Sequence, residues 1–222
     1  AGFANQKTFL KDSKWFYKIS PRIGFSHVIT DKSTFTFNYG LYYQTPIYAN
    51  VYLNTNRLED PEELFEEGEG YIGNATMSAS RTQSYSCAYN VQVGRNWSYK
   101  VGMWIKDMDQ WSTLTYERSG VYNYRVHSNG DYGGAKGIDI TLTTRGLAVN
   151  SELQYTYSIA KGNSEYDWAN AEGIYVDAPS QEYRMPYDRP HDLTLFLYTD
   201  DKRTPFGIRA GITAFYQSGF PY

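Results

Sequence analysis

The chain has 222 residues and a formal net charge of −3, so its charge gives no reason to expect a nucleic-acid partner. Its 1 cysteine excludes an internal disulfide framework and a cysteine-rich zinc site, and no apolar run is long enough for a transmembrane helix. Tyrosine (23), phenylalanine (11) and glycine (19) are abundant, a composition that favours strands over helices.

Low mean hydropathy does not separate a soluble protein from a membrane β-barrel, because only alternate residues of a barrel strand face lipid. Residues 1–13 carry no regular pattern and lack the basic start and apolar core of a signal peptide. A first hairpin is predicted over about 15–43. Tyr17, Ile19, Ile23 and Phe25 alternate with Lys18, Ser20, Arg22 and Gly24. After the polar turn Thr30-Asp31-Lys32-Ser33, Phe35, Phe37, Tyr39, Leu41 and Tyr43 alternate with Thr34, Thr36, Asn38, Gly40 and Tyr42. Period two gives each strand one apolar and one polar face, and the short turn makes an antiparallel hairpin. Pro21 suggests an edge position, a bulge or the non-bonding side of its strand. From Gln44 to Arg81 the alternation breaks. Pro46, Pro61 and the acidic run at 59–69 predict a long connection with one short helix at 61–67.

A second hairpin is predicted over about 82–106, turning at Gly94-Arg95-Asn96. Tyr85, Cys87, Tyr89 and Val91 share a face, as do Tyr99, Val101, Met103 and Ile105 on the return. Residues 107–131, rich in Tyr, Ser, Asn and Gly, read as another long connection. A third hairpin, about 132–160, turns at Arg145-Gly146; a further connection fills 161–187. The fourth, about 188–217, turns at Asp200-Asp201-Lys202-Arg203, with its return strand starting at Phe206.

Strands near ten residues, dyad alternation, and short turns at one end with long loops at the other describe a transmembrane β-barrel wall. The expected fold is all-β: an antiparallel up-and-down meander of about eight long strands, one partial barrel domain over 1–222. Trp15, Tyr43, Trp97, Trp104, Tyr198 and Tyr216 near strand ends fit interfacial aromatic girdles.

Six stretches, taken as a set and in order, resemble TonB-dependent outer-membrane receptors, especially the long kind common in Bacteroidota. They are PRIGFSHVITDKSTFTFNYGLYYQTP (21–46), SYSCAYNVQVGRNWSYKVGMWIKDMD (84–109), NGDYGGAKGIDITLTTR (129–145), YTYSIAKGN (155–163), PYDRPHDLTL (186–195) and YQSGFPY (216–222). The resemblance implies a place in the bacterial outer membrane and energy-coupled uptake of a large nutrient: a siderophore, glycan, peptide or vitamin. It implies specificity in outer loops and in a plug domain on which TonB acts. No plug and no TonB box is read here, and eight strands are fewer than the family's 22. A fragment, the middle part of the barrel, is therefore expected.

Trp111, Tyr116, Tyr122, Trp168 and Tyr175 fall on the long connections and are the candidate substrate-binding aromatics, since such rings stack on sugars and grip peptides or chelates. Packing of loop on loop explains them equally well. Arg22, Lys100, Lys106 and Arg209 fall on the polar strand face, directed at the lumen or the plug. Asp188-Arg189-Pro190-His191-Asp192 has metal-ligand residue types, and the acidic run at 59–69 carries carboxylates without EF-hand spacing; both are read as structural, and no metal or cofactor is expected. Cys87 reads as an inert small hydrophobe. No nucleophile–base pair stands out, so an enzyme is not expected. Expected partners are outer-membrane lipid, the plug and through it TonB, and an unknown nutrient. Two other readings stay open: a self-contained small barrel or porin-like channel, and a soluble lipocalin-like module whose apolar face points inward.

Overall fold

The computed structural model describes residues 17–53, 71–119, 122–163, 182–200, 202–204, 207 and 209–220, with 116–119 and 122–124 by backbone alone. The elements are β1 (Arg22–Thr30), β2 (Ser33–Gln44), α1 (Tyr48–Tyr52), β3 (Tyr71–Ile72), β4 (Ser80–Val93), β5 (Trp97–Ser119), β6 (Tyr122–Thr144), β7 (Val149–Gly162), β8 (Tyr183–Arg184), β9 (His191–Thr199) and β10 (Gly211–Gln217). Eight of the strands form one meander in the order β1-β2-β4-β5-β6-β7-β9-β10; β3 pairs with β6 and β8 with β7. All neighbours along the meander are antiparallel. Among the described residues no ladder joins β1 to β10, so these are the sheet's two edges. Pro21 precedes β1, where an edge strand tolerates the missing N–H, and its carbonyl accepts from Leu41 N at 3.0 Å.

The register carries the alternation across the whole sheet. One row runs Phe25, Phe37, Cys87, Met103, Ile138, Tyr157, His191. The next runs Ser26, Thr36, Ala88, Gly102, Asp139, Thr156, Asp192, Gln217. A slip of one residue in any ladder would break this segregation. Among the described residues nothing covers the apolar face: Phe25 is 53%, Met103 54%, Ile105 49% and Ile138 42% exposed. Among the described residues only Ile72, Ala79 and Met185 are buried hydrophobics. Leaving a large apolar side chain in water rather than burying it forfeits roughly 1.5–3 kcal/mol, so a full band of them is stable only against an apolar surround.

The polar face is the hollow one. A cavity of about 520 Å³ opens on it near the short turns, lined by Thr34, Asn90, Gln92, Ser98, Lys100 and Thr141 among others. A hollow on the polar side and an exposed apolar side fit a sheet concave toward its polar face, the reverse of a lipocalin. On β5 the outward band runs from Trp97 to Ile105, nine residues by sequence position. At about 3.4 Å per residue and a tilt near 40° this rises about 21 Å along the membrane normal, close to the 25 Å band of outer-membrane barrels.

Two expectations are corrected. Residues 107–131 are not a loop: β5 and β6 each run for 23 residues and pair through to Ser119 and Tyr122, so a two-stranded ribbon stands above the sheet. Both its faces leave the apolar surround there, so the alternation that marks the strands below disappears. Its register also shifts between Met108 and Ser112, with Gln110 at φ 58°. The fourth return strand is described over Gly211–Gln217, and Phe206, where its start was expected, lies outside the described residues. Helix α1 lies at Tyr48–Tyr52, where none was expected; the helix expected at 61–67 lies outside the described residues, as does Trp15.

Candidate functional site

Two regions hold the predicted residues: the hollow inner face, and a recess at the long-loop end. On the inner face two aromatic rings, Trp104 and Tyr42, lie where a glycine leaves room for them. A β-carbon on Gly137 would stand 2.6 and 2.8 Å from Trp104 ring atoms, and one on Gly40 would stand 2.6 Å from the Tyr42 ring. The predicted cations cover these rings. Lys106 Nζ lies 5.4 Å from the Trp104 ring centroid, and the Arg22 guanidinium 4.6 Å from that of Tyr42. Lys100 lines the 520 Å³ hollow. Arg209 is corrected: it precedes β10 in the segment from β9 and is not on a strand face. Asp139 accepts from Thr156 Oγ1 at 2.8 Å, and Asp192 from Gln217 Nε2 at 2.6 Å, so the inner carboxylates are held by neighbours across the strands.

At the loop end, α1 and residues 71–80 fold against the base of the ribbon. Gly73 N donates to Leu53 O at 2.8 Å, and a β-carbon there would stand 2.6–2.8 Å from backbone atoms of Val51 and Leu53, so only glycine permits this approach. Asn129 stitches the layers: its Nδ2 donates to the carbonyls of Ser78 (3.0 Å) and Gln110 (2.8 Å), and its Oδ1 accepts from Ser78 N (2.7 Å). Asn50 Nδ2 donates to Ser112 Oγ at 2.8 Å. Between them lies a recess of about 320 Å³, lined by Gln44, Asn50, Met77, Gln110, Trp111 and Asn129 among others.

Trp111, the predicted aromatic whose side chain is described, lines this recess. It is a strand residue, paired with Asp131, and its ring lies against Gly133, 3.0–3.2 Å from where a β-carbon would be. Strict alternation from Ile105 would turn residue 111 outward. The bulge at Gln110 reverses the parity and turns Trp111 to the side of Met108 and Gly133, the inner face. Tyr116 and Tyr122 belong to the ribbon, opposite Arg125 and Ser119, rather than to a loop. Trp168 and Tyr175 lie outside the described residues. Sequence reading missed Gln44, Asn50, Gln110 and Asn129, whose amides carry no spacing signal; only the fold brings them together.

The ribbon also holds His127, opposite Leu114. Burial pushes its pKa below the ordinary 6.5, and its Nδ1 is buried without a hydrogen-bond partner among the described residues. The motif at 188–192 does not converge. Asp188 Oδ1 accepts from Ala160 N at 3.1 Å, His191 Nδ1 meets Tyr155 Oη at 2.9 Å on the outward face, and Asp192 points inward. Adjacent strand residues face opposite ways, so His191 and Asp192 cannot share an ion. The acidic run at 59–69 lies outside the described residues.

No family model matches the chain, and no curated protein matches it. Solved structures do. The outer-membrane transporter YddB from Escherichia coli superposes with a TM-score of 0.62 at 14% identity, over 82% of this chain and 26% of that one. The FrpB iron transporter from Neisseria meningitidis (F3-3 variant) gives 0.51 at 12% identity, over 82% and 24%. At such identities the likeness is one of fold. The chain has the fold of a section of a transmembrane β-barrel wall, as in these outer-membrane transporters. It spans about a quarter of the length of these two structures.

Proposed function

We propose that this chain is part of the barrel of a TonB-dependent receptor that takes up a large nutrient across the bacterial outer membrane. The observation that carries this reading is the hollow on the polar face of the sheet, opposite an exposed apolar band. The transporters it superposes on, one of them an iron transporter by name, support the same reading. The open edges at β1 and β10 favour a section of a larger barrel over a small self-contained one. The outward apolar face disfavours a soluble lipocalin-like module.

In this reading the residues act by binding and positioning, not by catalysis. Arg22, Lys100 and Lys106 offer cations to carboxylates of a plug inside the barrel, through which TonB drives transport. Trp111 offers an aromatic plate at the outer recess, beside the amides of Gln44 and Gln110, while Asn50 and Asn129 hold the walls. Such a surface suits a flat or hydroxylated nutrient, whether chelate, glycan, peptide or vitamin. The reading is tested on the flanking reading frame and on uptake. A plug-encoding region before this segment, further strands after it, and nutrient uptake abolished by loss of TonB are expected. A frame closed around these residues alone, or uptake indifferent to TonB, would overturn it.

A further inference from the structure

The outward face ends abruptly at its outer rim. On β6 and β7 the last apolar positions are Ile138 and Ile159, and the next outward positions are Lys136 and Lys161. Lys161 sits opposite Gly134, and Lys136 lies diagonal to it. Short strand β8 continues above β9 on the same edge of β7 and places Arg184 opposite Lys161. Three cations on three adjacent strands therefore share one face, directly above the apolar band. Directly opposite β-carbons stand about 5 Å apart and diagonal ones about 7–8 Å apart. All three side chains are exposed, and none forms an ion pair or hydrogen bond with another described residue. Gly134 leaves the ground between Lys161 and Asp107 of β5 without a side chain; a β-carbon there would have Asp107 Oδ1 at 3.6 Å. Among the described residues Asp107 borders the notch and Glu182 precedes β8, two carboxylates against three cations. The neighbouring rim is different: Arg81 Nε donates to Asp109 at 2.9 and 3.1 Å, so that cation is already neutralised.

We infer that Lys136, Lys161 and Arg184 form a site for the phosphate groups of an anionic glycolipid of the outer leaflet. The position selects this ligand. The cluster lies on the lipid side, at the depth where the apolar band gives way to headgroups, and a dianionic phosphate matches converging ammonium and guanidinium donors. The inference rests on the membrane-wall reading above but not on uptake, and its test is separate.

The intact receptor containing this segment, in non-ionic detergent, is titrated with bis-phosphorylated lipid A and with its dephosphorylated form, read by native mass spectrometry. Tighter binding of the phosphorylated lipid by at least about tenfold is expected, falling with added salt. Lys136→Gln/Lys161→Gln/Arg184→Gln should erase that preference, while Lys202→Gln in the short turn after β9 leaves it intact. Heat-modifiable migration on gels checks that each variant is folded; if the triple variant is not, Gly134→Asp, which puts a carboxylate in the notch, replaces it. Equal binding of both lipids, or a preference that survives the substitutions, would overturn the site while leaving the receptor reading standing. Competition by millimolar inorganic phosphate as effective as the lipid would show a free-phosphate site and overturn the lipid assignment.

Discussion

Val101 and Gly102 are neighbours on β5 whose substitution by lysine should have opposite consequences. Val101 lies at the centre of the outward band, between Tyr89 on β4 and Ile140 on β6. Gly102 faces inward between Ala88 and Asp139, and a β-carbon there meets Cys87 O, Ala88 Cβ and Asp139 Cβ at 3.6, 3.8 and 3.9 Å, ordinary contact distances. A lysine on the lipid face at the bilayer midplane costs about 2–4 kcal/mol and at the interface about 0–1 kcal/mol. Val101→Lys should therefore lower the folding equilibrium constant of the barrel by roughly 30- to 800-fold at RT of about 0.6 kcal/mol. Ile105→Lys, at the rim, should cost much less. Gly102→Lys should stay within about 1 kcal/mol, since its ammonium reaches a wet face near the Asp139 carboxylate. The assay is reversible folding of the intact barrel into vesicles, followed by tryptophan fluorescence against denaturant. Equal costs at 101 and 102, or a cost at Ile105 as large as at Val101, would refute the assignment of faces. A soluble sheet with its apolar side packed on protein would not grade its penalties by height.

Gly137→Val should destabilise by about 1–3 kcal/mol by driving a side chain into the Trp104 ring, and Trp104→Ala in the same background should recover part of that loss in a double-mutant cycle. His127 is held neutral by burial, so the folded ribbon has a depressed pKa. Below the ordinary value of 6.5 the unfolded ribbon takes a proton that the folded one refuses, and stability falls as pH drops. Protection factors of the amides across 111–131, with exchange corrected for its intrinsic pH dependence, should fall between pH 7.5 and 5.5 in wild type and fall less in His127→Gln. Arg81→Ala removes an ion pair whose side chains are 47% and 35% exposed, and should cost under about 1 kcal/mol, less at high salt in a melting experiment. Trp111→Ala should weaken nutrient binding to the recess by about tenfold without lowering the melting temperature of the barrel by more than a few degrees, read by calorimetric titration once a ligand is identified.

The membrane-spanning part was legible because lipid on one side and a wet interior on the other impose the same period on every strand. Phe37, Cys87, Met103, Ile138 and Tyr157 could be assigned to one face before any pairing was known, and they form one row. Above the rim that signal ends. The β5–β6 ribbon has no lipid on one side and wet interior on the other to impose the period, so Tyr116 and Tyr122 read as loop residues although their backbones are strand. Trp111 was recognised as a candidate, but its direction was not legible, because one residue in left-handed backbone, Gln110, reverses the parity. The rest of the recess depends on contacts between Asn50 and Ser112, and between Asn129 and Ser78, 62 and 51 residues apart in sequence, and such contacts leave no local mark.

The most direct test of the account is a spin-label scan of β5 in the intact barrel, reconstituted in vesicles with Cys87 replaced by Ala. Each position from Tyr99 to Lys106 is labelled in turn, and its collision rates with oxygen and with a water-soluble nickel chelate are measured. The account predicts strict alternation: oxygen favoured at 99, 101, 103 and 105, the chelate favoured at 100, 102, 104 and 106. Alternation of the opposite phase, or none, would contradict it.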